Sequence, residues 1–121
     1  MAKTSPTQRT LAELRKNGYT AQVVERWNPH ARVRVDLFGV IDLLALLPDR
    51  ILGIQACAGA SHAVRRTKIL DEPRARQWLQ AGGELAGWSW AKQGARGKRK
   101  TWTLRVEAIT LEMFDGKEQA A

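Results

Sequence analysis

The sequence predicts an α/β fold: a mixed central sheet flanked by helices. Three observations point to it. Helix-like and β-rich segments are interleaved in the order helix, strand, strand, strand, helix, helix, strand, strand. Two apolar runs are joined by the turn signal "LPDR" and read as a hairpin. The 121 residues, 44% of them hydrophobic, suffice for one core, so residues 1–121 are expected to form a single domain.

The elements follow in order. "SPTQRTLAELRKNGY" opens with Ser5 as N-cap and Pro6 at the first helical position, and Gly18 stops it, so a helix is expected over 6–17. Its buried stripe carries Leu11 and Leu14. "YTAQVVERW" (19–27) is a strand, and "NPHARVR" (28–34) a basic loop. Strands over 36–46 and 51–58 flank Pro48–Asp49. "SHAVRRTKIL" is a helix capped by Ser61, with Ala63, Thr67 and Leu70 on one face. "EPRARQWLQAGG" is a second helix, opened by Pro73 and closed by Gly82 and Gly83. "ELAGWSWAKQ" is a strand, "GARGKRK" a loop, and "TWTLRVEAITLEMF" one or two final strand segments. The tail "DGKEQAA" is expected to fray.

Charge narrows the partners. Lys and Arg number 20 against 12 Asp and Glu, a formal net charge of +8. Such a chain is expected to meet a polyanion, either nucleic acid or an acidic membrane surface. No apolar run reaches the roughly 18 residues of a membrane span; the longest is broken by Asp36 and Asp42. The start "MAKTSPTQRT" lacks an apolar signal region. The lone Cys57 forms no internal disulfide, which fits a cytoplasmic location. One Cys and two His match no zinc-ligand spacing.

The chemistry concentrates in "DLFGVIDLLALLPDRILGIQACAG". Side chains alternate along a strand, which places Asp42 with Val40 and Leu44, and more remotely with Phe38 and Asp36. A turn at Pro48–Asp49 pairs Leu47 with Arg50 and Leu46 with Ile51. The same register sets Asp42 opposite Gln55, with Cβ atoms about 4.5–5.5 Å apart. Asp42, the Gln55 side-chain oxygen and a backbone carbonyl near Ala56 then form an oxygen-rich corner suited to Mg²⁺ or Mn²⁺. The same pair also fits a structural hydrogen bond, or an Asp42 that faces solvent.

"GVIDLLAL…RILGIQACAG" resembles the core of the PD-(D/E)XK nuclease superfamily, which includes restriction endonucleases and archaeal Holliday-junction resolvases. Gly39 and Asp42 match its Gly-x-x-Asp motif, and Gln55 matches the Glu/Gln of its second motif. The flanking helices 6–17 and 61–70 fall where that family places them, so the resemblance spans about residues 6–90. It implies a restriction endonuclease-like fold and metal-dependent hydrolysis of phosphodiesters in duplex or branched DNA, with Mg²⁺ or Mn²⁺ held by Asp42 and Gln55. Glu25 and Asp36 are alternative acidic ligands. By analogy it implies a homodimer.

One departure stands out. Cys57 occupies the position of the family's lysine, and a neutral thiol does not supply that charge. Lys68 or Arg65, on the following helix, can take its place, Lys68 being preferred because an amine also exchanges a proton. The family's first-helix acid would correspond to Glu13, although Gln8 lies closer to the expected place. The site is therefore either remodelled or inactive, and the second reading is a catalytically silent nucleic-acid-binding module. A structural adaptor is a third.

Other residues are weighed the same way. His62 is a candidate base beside the metal, or a helix-start residue on the surface. His30 is a loop residue. Lys92, Arg96, Lys98, Arg99 and Lys100 form a basic hairpin tip suited to phosphates, and Arg65 and Arg66 add charge near the hairpin. Trp88 and Trp90 share a strand face, with Trp102 across from them. Exposed, they form a stacking platform; buried, an aromatic cluster. Trp27 and Trp78 are expected to pack.

Overall fold

The computed structural model describes residues 4–120, with side chains described for residues 4–115. The Ser5 hydroxyl accepts the N–H of Gln8 at 3.1 Å, and Pro6 starts α1, Pro6–Lys16. Gly18 follows with φ +88°, a backbone conformation that glycine takes without strain. The expected strand over 19–27 is split. β1 spans Thr20–Val23 and β2 spans Arg26–Asn28, because the N–H groups of Val24 and Glu25 both turn to the Asp42 carbonyl, at 2.8 and 3.2 Å.

The expected loop over 28–34 is a tight ribbon instead. Asn28 Oδ1 accepts from the N–H groups of His30 and Ala31, and the chain returns as β3, Val33–Val35, antiparallel to β2. The expected strand over 36–46 is also shorter. β4 spans only Leu43–Leu47, and residues 37–41 form a tight turn with a single bridge between Leu37 and Ile41. Phe38 and Gly39 both have positive φ, +53° and +78°. Phe38 and Val40 therefore do not extend a strand face from Asp42.

β5 spans Arg50–Ala58, and its pairing with β4 has the predicted register: Leu47 faces Arg50 and Leu43 faces Ile54. A short 3-10 turn over Gly59–Ser61 leads into α2, His62–Leu70. Ser61 makes no side-chain cap, and α2 buries His62 and Ile69 rather than Ala63 and Thr67, which are exposed. α3 spans Pro73–Gln80, capped by Glu72, whose carboxylate accepts the Arg74 N–H. β6, Glu84–Gln93, lies parallel to β5, and β7, Thr101–Ile109, returns antiparallel. Residues 111–114, expected as strand, begin α4, Leu111–Ala120, which also takes up most of the tail expected to fray.

The result is a mixed five-stranded sheet in the order β1-β4-β5-β6-β7, with helices on both faces. α1 covers one face through Leu14, packed with Leu43, Ile54 and Trp88. On the other, Ile69 of α2, Ala75 of α3 and Phe114 of α4 pack over Ile41, Leu85 and Ile109. Gly53 of β5 leaves room for Ile41: a Cβ there would meet Ile41 Cδ1 at 2.7 Å. No helix among the described residues is long and apolar enough to cross a membrane.

Candidate metal centre in a basic cleft

The turn at residues 37–41 builds the site. It doubles the chain back, so that Asp36 and Asp42 at its two ends bring their carboxylates within 4.8 Å of each other. Leu37 exchanges both backbone bonds with Ile41, each at 2.9 Å. Glu25 joins them from the break between β1 and β2, a break caused by the Asp42 carbonyl. One carboxylate oxygen from each of Glu25, Asp36 and Asp42 lies within 4.8 Å of the others, a group able to hold a metal ion.

Asp42 and Gln55 meet as the register predicts. Gln55 Nε2 donates to Asp42 Oδ2 at 2.7 Å, and the Ala56 N–H donates to the same oxygen at 2.9 Å. Ala56, expected to lend its carbonyl, is thus seen lending its N–H. Gln55 Nε2 also lies 3.5 Å from Asp36 Oδ2. Its Oε1 is buried and has no hydrogen-bond partner among the described residues. Two facing carboxylates draw the amide nitrogen inward and leave the oxygen orphaned. A cation among the carboxylates would repel those N–H groups and attract the oxygen, so the orphaned atom fits a metal centre.

The carboxyls divide one proton between them. Burial, then the hydrogen bond and charge of Asp36, push Asp42 up to about 8, against the opposing bonds from Ala56 and Gln55. Burial also opposes ionisation of Asp36, but hydrogen bonds from Asp42 and Lys68, with the Lys68 charge, hold it below its ordinary value. The two carboxyls therefore resist ionising together, with Asp42 shifted toward the protonated form.

A cleft of about 800 Å³ opens over these groups. Lys68 and Arg65 of α2 line it, as do Cys57 and the first residues of α1, including Gln8. Lys68 Nζ lies 3.2 Å from Asp36 Oδ2, so α2 does bring an ammonium to the carboxylates. Burial pushes the Cys57 thiol up, with Arg65 opposing, so it stays neutral. Glu13 is elsewhere, in a separate hollow beside Trp90.

Several expected residues fall outside the cleft. Arg66 turns away to Glu107, with Nε 3.2 Å from Oε2. His62 is neither beside the carboxylates nor on the surface. It is buried, with Nδ1 2.7 Å from Ser89 Oγ and Nε2 2.9 Å from Glu107 Oε1. His30 is exposed. Lys92 is exposed near the end of β6, and Arg96, Lys98, Arg99 and Lys100 sit on the exposed β6–β7 connection. Trp88 is buried in the core as expected, and Trp78 is half-buried with Nε1 donating to the Glu84 carbonyl at 2.7 Å. Trp27 does not pack: it is 57% exposed on the short β2–β3 ribbon. Trp102 pairs across the hairpin with Lys92, not with Trp88 or Trp90.

Compared with known proteins, the chain matches no family model, no curated protein and no solved structure.

Proposed function

We propose that this chain is a metal-dependent DNA endonuclease of the PD-(D/E)XK type, with a restriction endonuclease-like core formed by α1, β1, β4, β5, α2 and β6. The observation that carries this reading is the meeting of Glu25, Asp36 and Asp42 within 4.8 Å, beside the orphaned Gln55 oxygen, in a cleft edged by Lys68 and Arg65. Hard oxygen ligands select Mg²⁺ or Mn²⁺. Bound there, such an ion would polarise a phosphate and lower the pKa of an attacking water. Asp42 and Asp36 are the central ligands, with Glu25 and Gln55 beside them.

The remaining roles belong to the protein's own cations. Lys68 already faces Asp36, so its ammonium stands where charge develops on a phosphate docked at the carboxylates. Arg65 supplies a second positive charge from one helical turn earlier and orients the phosphate. Together they take over the role that Cys57 does not fill. The rest of the net charge of +8 draws DNA to the surface without choosing its sequence.

The neutral Cys57 thiol favours the second reading, a nucleic-acid-binding module on the same core. One experiment separates the two. Duplex, branched and single-stranded DNA are incubated with Mg²⁺, Mn²⁺ or EDTA, using the native chain and Asp42→Asn. Metal-dependent cutting that Asp42→Asn abolishes, with binding retained, supports the endonuclease. Binding without cutting of any substrate favours the module. No affinity for any DNA would defeat both and favour an adaptor.

A further inference from the structure

We propose that Trp102, with Arg9 and the β6–β7 connection, forms a docking site for single-stranded DNA. The inference extends the DNA reading above by naming the form of strand held there.

Three of the tryptophans on or near this hairpin differ in kind. Trp88 is packed in the core, and Trp90 is half-buried, with Nε1 donating to Thr10 Oγ1 at 3.0 Å. Trp102 is 42% exposed near the end of the hairpin. Its ring carries the Arg9 guanidinium at 3.9 Å from the centroid and the Lys92 ammonium at 5.4 Å. The Trp90–Thr10 bond ties β6 to α1 and so holds Arg9, the residue before Thr10, over that ring. An aromatic face beside guanidinium and ammonium groups is the arrangement that stacks an unpaired base and neutralises its phosphate.

Charge points the same way. Arg34, Arg50, Arg66, Lys68, Arg74 and Arg76 are each paired with an acid. Arg9, Lys92, Arg96, Lys98, Arg99 and Lys100 form no ion pair with a described residue; other cations such as Arg65 and Arg105 also lack one, but these six include the two cations over the Trp102 ring and the four of the adjoining connection. The charge around Trp102 is therefore left uncompensated, as a polyanion site requires. The connection is not formless: the Lys98 N–H bonds the Ala95 carbonyl at 2.9 Å, and a Cβ on Gly94 would meet the Arg99 carbonyl oxygen at 2.8 Å. Duplex bases are stacked on each other and offer no free face to Trp102; an unpaired base does.

α1 serves both places: residues 5–8 of α1 and its cap line the cleft, and Arg9, which follows them, covers the Trp102 ring. Trp27, the other strongly exposed tryptophan, lacks this setting, because its cross-strand neighbour Arg34 is paired with Glu25.

The test is binding without metal, so that it fails or succeeds apart from cleavage. Labelled oligo(dT) of about ten nucleotides and a duplex of equal length are titrated in EDTA, with anisotropy as readout. Trp102→Ala is expected to weaken oligo(dT) binding about 5- to 100-fold and to leave duplex binding within about twofold. Trp102→Phe retains most of the affinity. Lys98→Ala with Arg99→Ala weakens both ligands and flattens the salt dependence. Should the alanine variant not fold, Trp102→Leu, apolar but without a π face, carries the same expectation. Unchanged oligo(dT) binding in the alanine or leucine variant, equal loss on both ligands, or no oligo(dT) binding by the native chain overturns the proposal. Loss of cutting alone leaves it standing.

Discussion

Asp36 and Asp42 bring their carboxylates within 4.8 Å of each other across a turn of five intervening residues, and their titrations move in opposite directions. Asp42 is pushed up to about 8, from an ordinary 3.8, while Asp36 is lowered. The folded chain thus holds a proton on Asp42 that the unfolded chain has released. The stability tied to Asp42 is present in acid and declines as pH rises from about 4 to about 8. Asp36 has the opposite sign: its contribution is present above its ordinary range and is lost as pH falls through the lowered value.

Metal uptake reads this directly. A cation needs Asp42 ionised, so binding expels the proton. Affinity for Mn²⁺ is expected to rise with pH, approaching about tenfold per unit below about 8 and levelling above it. Calorimetric titration in buffers of different ionisation enthalpy will show the released proton. A flat profile would remove Asp42 from the ligand set.

Cys57 and Lys68 allow a direct exchange. Lys68→Ala is expected to lower cleavage by about 10²–10³-fold while leaving Mn²⁺ binding in place. Cys57→Lys in that background puts an ammonium back at the cleft and should recover part of the loss. Cys57→Ser should be nearly silent, because the thiol is neutral. If Lys68→Ala cuts at the native rate, Arg65 becomes the residue to vary.

The turn itself is open to test at Gly39. A Cβ there would meet Arg74 Nη2 and Glu72 Oε1, each at 2.9 Å, and φ is +78°. Gly39→Val is expected to cost about 1–2 kcal/mol from the left-handed backbone alone. It should also weaken Mn²⁺ binding, because the turn sets the approach of Asp36 to Asp42. Thermal melts and the Mn²⁺ titration measure the two effects separately.

His62 bears on stability rather than chemistry. His62→Ala leaves buried Ser89 and half-buried Glu107 without their shared partner. A loss of about 1–3 kcal/mol is expected in denaturant unfolding, with Mn²⁺ affinity little changed. A large fall in affinity at preserved stability would instead place His62 in the metal centre.

Much of the sheet was legible in local sequence. Pro48–Asp49 fixed the register of β4 and β5, and with it the meeting of Asp42 and Gln55, because turn length alone sets which residues oppose. The break after Val23 was not legible: it depends on the Asp42 carbonyl, distant in sequence. Residues 37–41 read as strand because Leu37, Val40 and Ile41 are apolar, and a positive φ at Phe38 has no compositional sign. α4 was hidden by a β-like composition that packing overrides, with Phe114 buried among residues of α2 and α3. The meeting of the three carboxylates depends on these long-range features, so Glu25 and Asp36 emerged from the resemblance as alternatives rather than as a set. His62 joined Ser89 and Glu107 through a sheet whose pairing no short window reveals.

Asp42 answers to two demands with separate atoms. Its main-chain oxygen stitches the start of the sheet by receiving Val24 and Glu25, whereas its carboxyl faces the cleft. Replacing the carboxyl leaves that stitch intact. A side-chain change at this one position therefore probes the cleft without unpicking the seam between β1 and β4.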